Sequence, residues 1–300
     1  MADMLNAASN VARTEQTRLI HKQIDQERAQ RIAQHKQAMA AHRIAFAAAP
    51  GGPQPLNLFA DGDSWFDYPL PVLTPNDTIS SIGRHGNPKP LILNLAHYGD
   101  TARDDLGVQQ RQRIIQNLTD PGNGTFDAIL FSGGGNDTVG TQFCLWIQDY
   151  VNGMTPSEGI NAQRLGAVLG VVRSAYEDLI AIRDQKAPQC PLFLHAYDFA
   201  IPSGVGVCDN TIGPWLKPSL DYRGWKDLST ATQVVKEFLL QFRNTLVQVA
   251  SAHKNVIVVE TQGTLGPKDW ANELHPTPRG FDQIAAKFIA ALRVAFPGRI

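Results

Sequence analysis

Three short segments, far apart in the chain, carry side chains that together could hydrolyse an acyl bond: Asp61-Gly62-Asp63-Ser64-Trp65, Gly133-Gly134-Gly135-Asn136-Asp137 and Asn272-Glu273-Leu274-His275-Pro276. The first offers a serine, the second an amide donor and the third a histidine. A serine hydroxyl is a weak nucleophile at neutral pH, so it needs a base to take its proton and dipoles aimed at the oxyanion that forms. Ser64, His275 and Asn136 have the chemistry for those three roles. His275 suits the general base, and later the general acid, because an unperturbed imidazole titrates near neutral pH.

The first two segments directly follow apolar, strand-like runs (56–60 and 126–131), and the third follows another (256–260) after a short loop. In an open parallel sheet the residues just past the carboxyl ends of the strands share one rim, so distant segments can meet there. From Pro55 onward strand-type and helix-type runs alternate, which predicts an α/β fold. Strands are expected near 55–60, 89–95, 126–131, 191–197 and 255–260. Helices are expected near 102–118, 162–184 and 230–252, and a last one over 278–295 has Phe281, Ile284, Ala285, Phe288, Ile289 and Leu292 at helical spacing.

Two stretches stand apart. Residues 1 to about 48 are rich in Ala, Gln, Arg and Lys and free of Gly and Pro, which favours a long helix ended by Ala49-Pro50-Gly51-Gly52-Pro53. Its apolar positions (Leu19, Ile20, Ile24, Ile32, Met39, Ile44) form a thin stripe, read as an arm packed on the domain or as a homo-oligomer contact. The second stretch, 199–225, holds Pro202, Pro214, Pro218, four glycines, Trp215, Tyr222 and Trp225. Long irregular loops in compact domains are commonly functional, and this one is a candidate lid. The expected division is a helical extension and linker over 1–50 and a catalytic domain over 51–300.

The four motif blocks resemble the SGNH (GDSL-type) hydrolase family. Gly62-Asp63-Ser64-Trp65 matches the first block, Gly99 the glycine of the second, Gly134-Gly135-Asn136-Asp137 the third and His275-Pro276 the last. The resemblance spans roughly residues 55–295. It implies a three-layer α/β/α, flavodoxin-like fold with a five-stranded parallel sheet in the order 2-1-3-4-5 and the site at the strands' C-terminal rim. It also implies an oxyanion hole from the Ser64 N–H, the Gly99 N–H and the Asn136 side chain. The family pattern has Asp three residues before the histidine, where this chain has Asn272. Asn272, or a backbone carbonyl in the same turn, can accept the imidazole Nδ1–H without supplying charge. Asp269 and Glu273 remain alternative acids, ranked after Asn272 by position.

The implied activity is that of a serine esterase acting on a small-molecule carboxylic ester, with neither metal nor organic cofactor required. Trp65, Phe66 and Tyr68 beside Ser64, with Trp215 and the aromatic loop, point to an apolar acyl site, and His195 at the end of a strand could also line the pocket. A carbohydrate O-acetyl ester or a thioester would fit the same chemistry. A non-catalytic binding module, or an assembly protein working through the N-terminal helix, are the readings from other classes. His97, Asp63 and Asp137 are read as structural.

With 43% hydrophobic and 18% charged residues the composition is that of an ordinary globular protein, and 27 basic against 28 acidic residues leave a formal charge of −1. Nothing in that balance calls for nucleic acid or an anionic membrane as the partner. Cys144, Cys190 and Cys208 lack metal-ligand spacing and read as thiols, with Cys190 and Cys208 the pair that could be oxidised. Neither a signal-peptide core nor a membrane-length apolar stretch is evident, so the expected location is cytoplasmic, with signal-independent export left open.

Overall fold

The computed structural model describes residues 2–68, 77–100 and 107–300, and side chains in the first helix at 15, 18–20 and from 22 onward. The chain opens with α1 (Ala2–Ala48) and then alternates: β1 (Asn57–Gly62), α2 (Thr78–Ile82), β2 (Leu91–Asn94), α3 (Val108–Thr119), β3 (Ala128–Ser132) and a single turn, α4 (Gly135–Thr138). It continues through α5 (Ala162–Lys186), β4 (Leu192–His195), α6 (Lys217–Tyr222), α7 (Leu228–Ala252), β5 (Val256–Val259) and α8 (Pro278–Ala295). All five expected strands are present, each within a residue or two of its expected bounds. The expected helix over 102–118 is seen from Val108; its first residues, 102–106, lie outside the described ones.

The strands form one parallel sheet in the order β2-β1-β3-β4-β5. The chain therefore steps one way from β1 to β2 and then the other way, from β2 across β1 to β3. Right-handed crossovers then put α2 on one face and α3, α5 and α7 on the other. The packing agrees: α5 touches both α3 and α7, whereas α2 packs on α8. Strands covered on both faces read as continuous apolar runs, and β1, β3 and β4 are buried along their whole length. The core is rich in phenylalanine, with Phe59, Phe131, Phe193, Phe238, Phe242, Phe281 and Phe288 buried.

Register brings the rim together. Gly62 lies abreast of Ser132, and the ladder runs on through Asp63 N–H to Ser132 O (2.9 Å) and His97 N–H to Gly62 O (2.9 Å). Gly62 has φ 133°, and a Cβ there would sit 1.9 Å from the Ser132 carbonyl oxygen, so only glycine lets β1 and β3 approach this closely. Gly134 has φ 93° and opens the turn into α4, where a Cβ would meet Val172 at 2.8 Å.

The helix α1 packs its second half beside the edge strand β2 and the Pro121–Asn123 turn. His35 stacks on Phe126 at 5.7 Å, Met39 is buried, and Lys36 pairs with Asp120. Covering an edge strand removes an unpaired template for association. Leu19, Ile20 and Ile44 are exposed. Among the described residues no helix is long and apolar enough to cross a membrane.

Candidate active site

Ser64 follows β1 and Asn136 follows β3, so they flank the point where the strand order reverses, the usual ligand crevice of such sheets. His275 arrives from the loop after β5. That loop folds back on itself, with Ala271 N–H donating to His275 O at 2.9 Å and a bridge between Trp270 and Pro276. Thr277 caps α8 through Gly280 N–H, and Pro278 opens the helix, fixing the chain just beyond the histidine.

Ser64 Oγ lies 2.7 Å from His275 Nε2. On the other side of the ring, His275 Nδ1 lies 3.0 Å from Asn272 Oδ1. The amide orientation follows from its neighbours: Oδ1 also accepts Leu274 N–H (3.0 Å) and His275 N–H (2.9 Å), while Nδ2 donates to Tyr68 Oη (3.2 Å). An acceptor facing Nδ1 requires the proton there, which leaves a lone pair on Nε2 facing the serine hydroxyl. That tautomer is the one a general base needs. Tyr68 covers the ring at 4.7 Å, and the Trp215 ring meets it edge-on at 5.7 Å. Burial pushes His275 down to about 3, and no carboxylate offsets it.

The two alternative carboxylates are engaged elsewhere. Glu273 is fully buried and accepts four backbone N–H groups, from Gly204, Trp215, Leu216 and Lys217. It ties the 199–225 segment to the histidine loop and turns away from the imidazole. Asp269 accepts Gly266 N–H at 2.9 Å and faces Arg279 at 3.8 Å. The segment is irregular, as expected, with a run of positive φ at Cys208, Asp209 and Asn210, apart from the short helix α6.

Asn136 lines the cavity that Ser64 and His275 face, and its Nδ2 donates to the Asp100 carbonyl at 2.7 Å. Gly99 precedes that carbonyl in a turn closed by Asp100 N–H to His97 O (3.2 Å), with φ 85°, where a side chain would be strained. The second and third blocks are thus joined by one hydrogen bond. Beyond Asn136 the cavity is apolar, with Val139, Leu216, Val235, Phe238, Leu239 and Phe242 in its wall.

Of the five aromatic or imidazole side chains expected around the acyl site, Trp65 lines this cavity, and Tyr68 and Trp215 stand against His275. The other two do not reach it. Phe66 is wholly buried, stacked on His195 at 5.7 Å and packed on Phe288. Trp65 and Phe66 both contact the His195 ring, but only Trp65 reaches the cavity wall, while Phe66 continues into the core against Phe288. His195 is also wholly buried and sits beneath Trp65, its Nε2 2.8 Å from Ser132 Oγ and its Nδ1 accepting Tyr197 N–H. Burial pushes it to about 3, so it is a neutral core histidine.

His195 belongs to a buried network with no signature in the sequence. Ser132 Oγ donates to Asp63 Oδ1 (2.7 Å), Tyr197 Oη donates to Asp63 Oδ2 (2.6 Å), and Tyr197 Oη accepts Gly135 N–H (2.8 Å). Burial lifts Asp63 to about 6 against these hydrogen bonds and that from Trp65 N–H. The network braces the turn carrying Ser64 against the one carrying Asn136. Tyr197 adopts φ 57°, a strained conformation for a tyrosine, and lines the same cavity. All three cysteines are free; Cys190 is buried, with its thiol pushed up to about 12, and Cys208 is exposed. Among the described residues no group of three or more His, Cys, Asp or Glu could hold a metal ion.

No protein-family model and no curated protein matches the sequence. Solved structures do match the fold. The lipase Lip_vut3 from a goat rumen metagenome is 18% identical, aligns over 81% of this chain and 99% of its own, and has a TM-score of 0.52. An extracellular lipase from Streptomyces rimosus is 15% identical over 80% of this chain and 99% of its own, at a TM-score of 0.45. A carbohydrate esterase of family 3 from Talaromyces cellulolyticus is 11% identical over 80% of this chain and 98% of its own, at 0.41. With a five-stranded parallel sheet in the order 2-1-3-4-5, flanking helices and this likeness to the rumen lipase, the chain has the SGNH (GDSL-type) hydrolase fold.

Proposed function

We propose that this protein is a serine esterase acting on carboxylic esters with an apolar acyl group. Ser64 Oγ attacks the ester carbonyl while His275 Nε2 takes its proton. The oxyanion is met by the Ser64 N–H, the Gly99 N–H and the second N–H of the Asn136 amide, whose first is held by Asp100 O. His275 then returns the proton to the leaving alkoxide, and water, activated by the same nitrogen, releases the acyl group.

The observation that carries this reading is the 2.7 Å contact between Ser64 Oγ and His275 Nε2, with Asn272 imposing the basic tautomer, at the mouth of an apolar cavity. A buried serine and histidine in hydrogen-bond contact would serve no binding module better than two apolar side chains would. The fold shared with a lipase is consistent with the reading but does not carry it.

Initial rates on p-nitrophenyl esters from acetyl to palmitoyl, measured for the native chain and Ser64→Ala, test the proposal. Turnover that disappears in the variant supports it and ranks the acyl lengths together. Native turnover that survives in Ser64→Ala, or none on any ester, refutes it.

A further inference from the structure

The N-terminal helix reaches the site through two arginines. Arg28 is 5% exposed; its Nε donates to Leu95 O (2.8 Å) and its Nη2 to Asp100 Oδ2 (2.5 Å). One turn on, Arg31 Nη1 donates to Ala96 O (3.0 Å) and Nη2 to Asp67 Oδ1 (2.8 Å). Their partners are the chain just past β2, which carries Gly99, and the chain just past Ser64. Burial pushes the Asp61 carboxyl at the end of β1 up, and the positive charges of Arg28 and Arg113 oppose that shift.

The Asp100 contacts run in two directions. Its carboxylate is gripped by Arg28, and its carbonyl accepts the Asn136 amide. A planar guanidinium can bridge the Leu95 carbonyl and the Asp100 carboxylate at once, which fixes the His97–Asp100 turn in position and orientation. An ammonium on a flexible stem cannot hold both with the same geometry.

We propose that Arg28 is a positioning residue for ester hydrolysis, holding the His97–Asp100 turn so that the Asp100 carbonyl aims the Asn136 amide at the oxyanion. The extension is then a working part of the site. The proposal rests on the esterase reading above and on its assignment of the oxyanion donors. Small displacements of such donors are costly, since an error of about 1 Å can lower a rate about 100-fold.

The test compares kcat and KM on p-nitrophenyl butyrate for Arg28→Ala, Arg28→Lys, Asn136→Ala and the double variant Arg28→Ala/Asn136→Ala, with circular dichroism as the check on folding. Arg28→Ala is expected to lower kcat about 10- to 100-fold. KM should stay within about threefold, because the interaction matters chiefly in the transition state, and Arg28→Lys should fall between. The double variant should match Asn136→Ala alone, because an effect routed through Asn136 vanishes once the amide is gone. Multiplying losses in the double variant, or unchanged kcat in Arg28→Ala or Arg28→Lys beside a large loss in Asn136→Ala, would overturn the positioning role and leave the esterase reading intact. If Asn136→Ala itself stays within a few-fold of native, the donor assignment fails and the proposal with it. Should Arg28→Ala not fold, Arg28→Lys and Asp100→Asn, which keeps the carbonyl and loses the charge, carry the same comparison.

Discussion

Replacing Asn272 by aspartate asks what the missing carboxylate costs this site. In the native chain Asn272 Oδ1 lies 3.0 Å from His275 Nδ1, and burial holds the imidazole at about 3. The base is therefore neutral over the whole ordinary working range, but it is weak. An aspartate of the same shape would keep the hydrogen bond and could accept Leu274 N–H, His275 N–H and the Tyr68 hydroxyl as well. Those donors favour its ionised form. A carboxylate that close raises a histidine by about 1–3 units, so His275 should move to between about 4 and 6.

The sign decides the assay. Only neutral imidazole acts as base, so kcat/KM falls as pH drops through the free-enzyme value. For the native chain the fall due to His275 lies near pH 3, and a loss at higher pH would come from another group, Asp63 at about 6 being the one that braces the nucleophile turn. Asn272→Asp should show an acid limb between about pH 4 and 6. At pH 8 its kcat should rise by up to about tenfold for each unit gained, the limit being a transition state that carries the full imidazolium charge. Hydrolysis of p-nitrophenyl acetate, followed at the isosbestic wavelength of the phenol and phenolate, gives both profiles. Superimposable profiles, or a loss of activity with the circular dichroism unchanged, would refute the claim that Asn272 orients His275.

Three further outcomes are expected. Glu273→Ala should strand four backbone N–H groups and cost about 3 kcal/mol or more, seen as a lower Tm with new proteolytic cleavage between residues 204 and 217. Gly134→Ala forces a side chain to positive φ against Val172 and Phe242, and should lower stability by about 1–3 kcal/mol in urea unfolding. Leu239→Trp fills the apolar cavity from α7 and should lower kcat/KM for octanoyl esters about tenfold or more relative to acetyl. An unchanged ratio would place the acyl group outside this cavity.

The fold was legible because the central strands β1, β3 and β4 are buried along their whole length and read as apolar runs, and because the serine and asparagine motifs begin where such runs end. Ser64, Asn136 and His275 could be chosen for the same reason: a rim of strand ends is the one place where short distant segments meet. Contacts across the sheet were not legible. That Trp65 but not Phe66 reaches the cavity depends on the turn at Asp63, and that His195 faces Ser132 depends on the register of β3 with β4. Asn272 could be ranked first by its spacing, but its tautomer-setting role needs the tight return of the loop, which no local pattern announces. Arg28 had still less to mark it, being one of many charged residues on a helix with only a thin apolar stripe.

Asn272 and Asp63 show how the site divides its charges. A general base gains from a carboxylate only when imidazolium must be stabilised, and here the residue beside the imidazole is neutral. Of the nearby buried carboxylates, Glu273 is taken up by backbone N–H groups, and Asp63 is lifted to about 6 and satisfied by Ser132, Tyr197 and Trp65 N–H. Its work is to tie the nucleophile turn to the Gly135 turn, not to meet the histidine. If the esterase reading holds, transition-state charge rests mainly on the oxyanion donors, and those are the groups that the Asp63 network and Arg28 brace from opposite sides. Activity should therefore fall further in Asn136→Ala than in any uncharged substitution at position 272 that preserves an acceptor for Nδ1. The reverse order of sensitivity would mean that Asn272 supplies more than orientation.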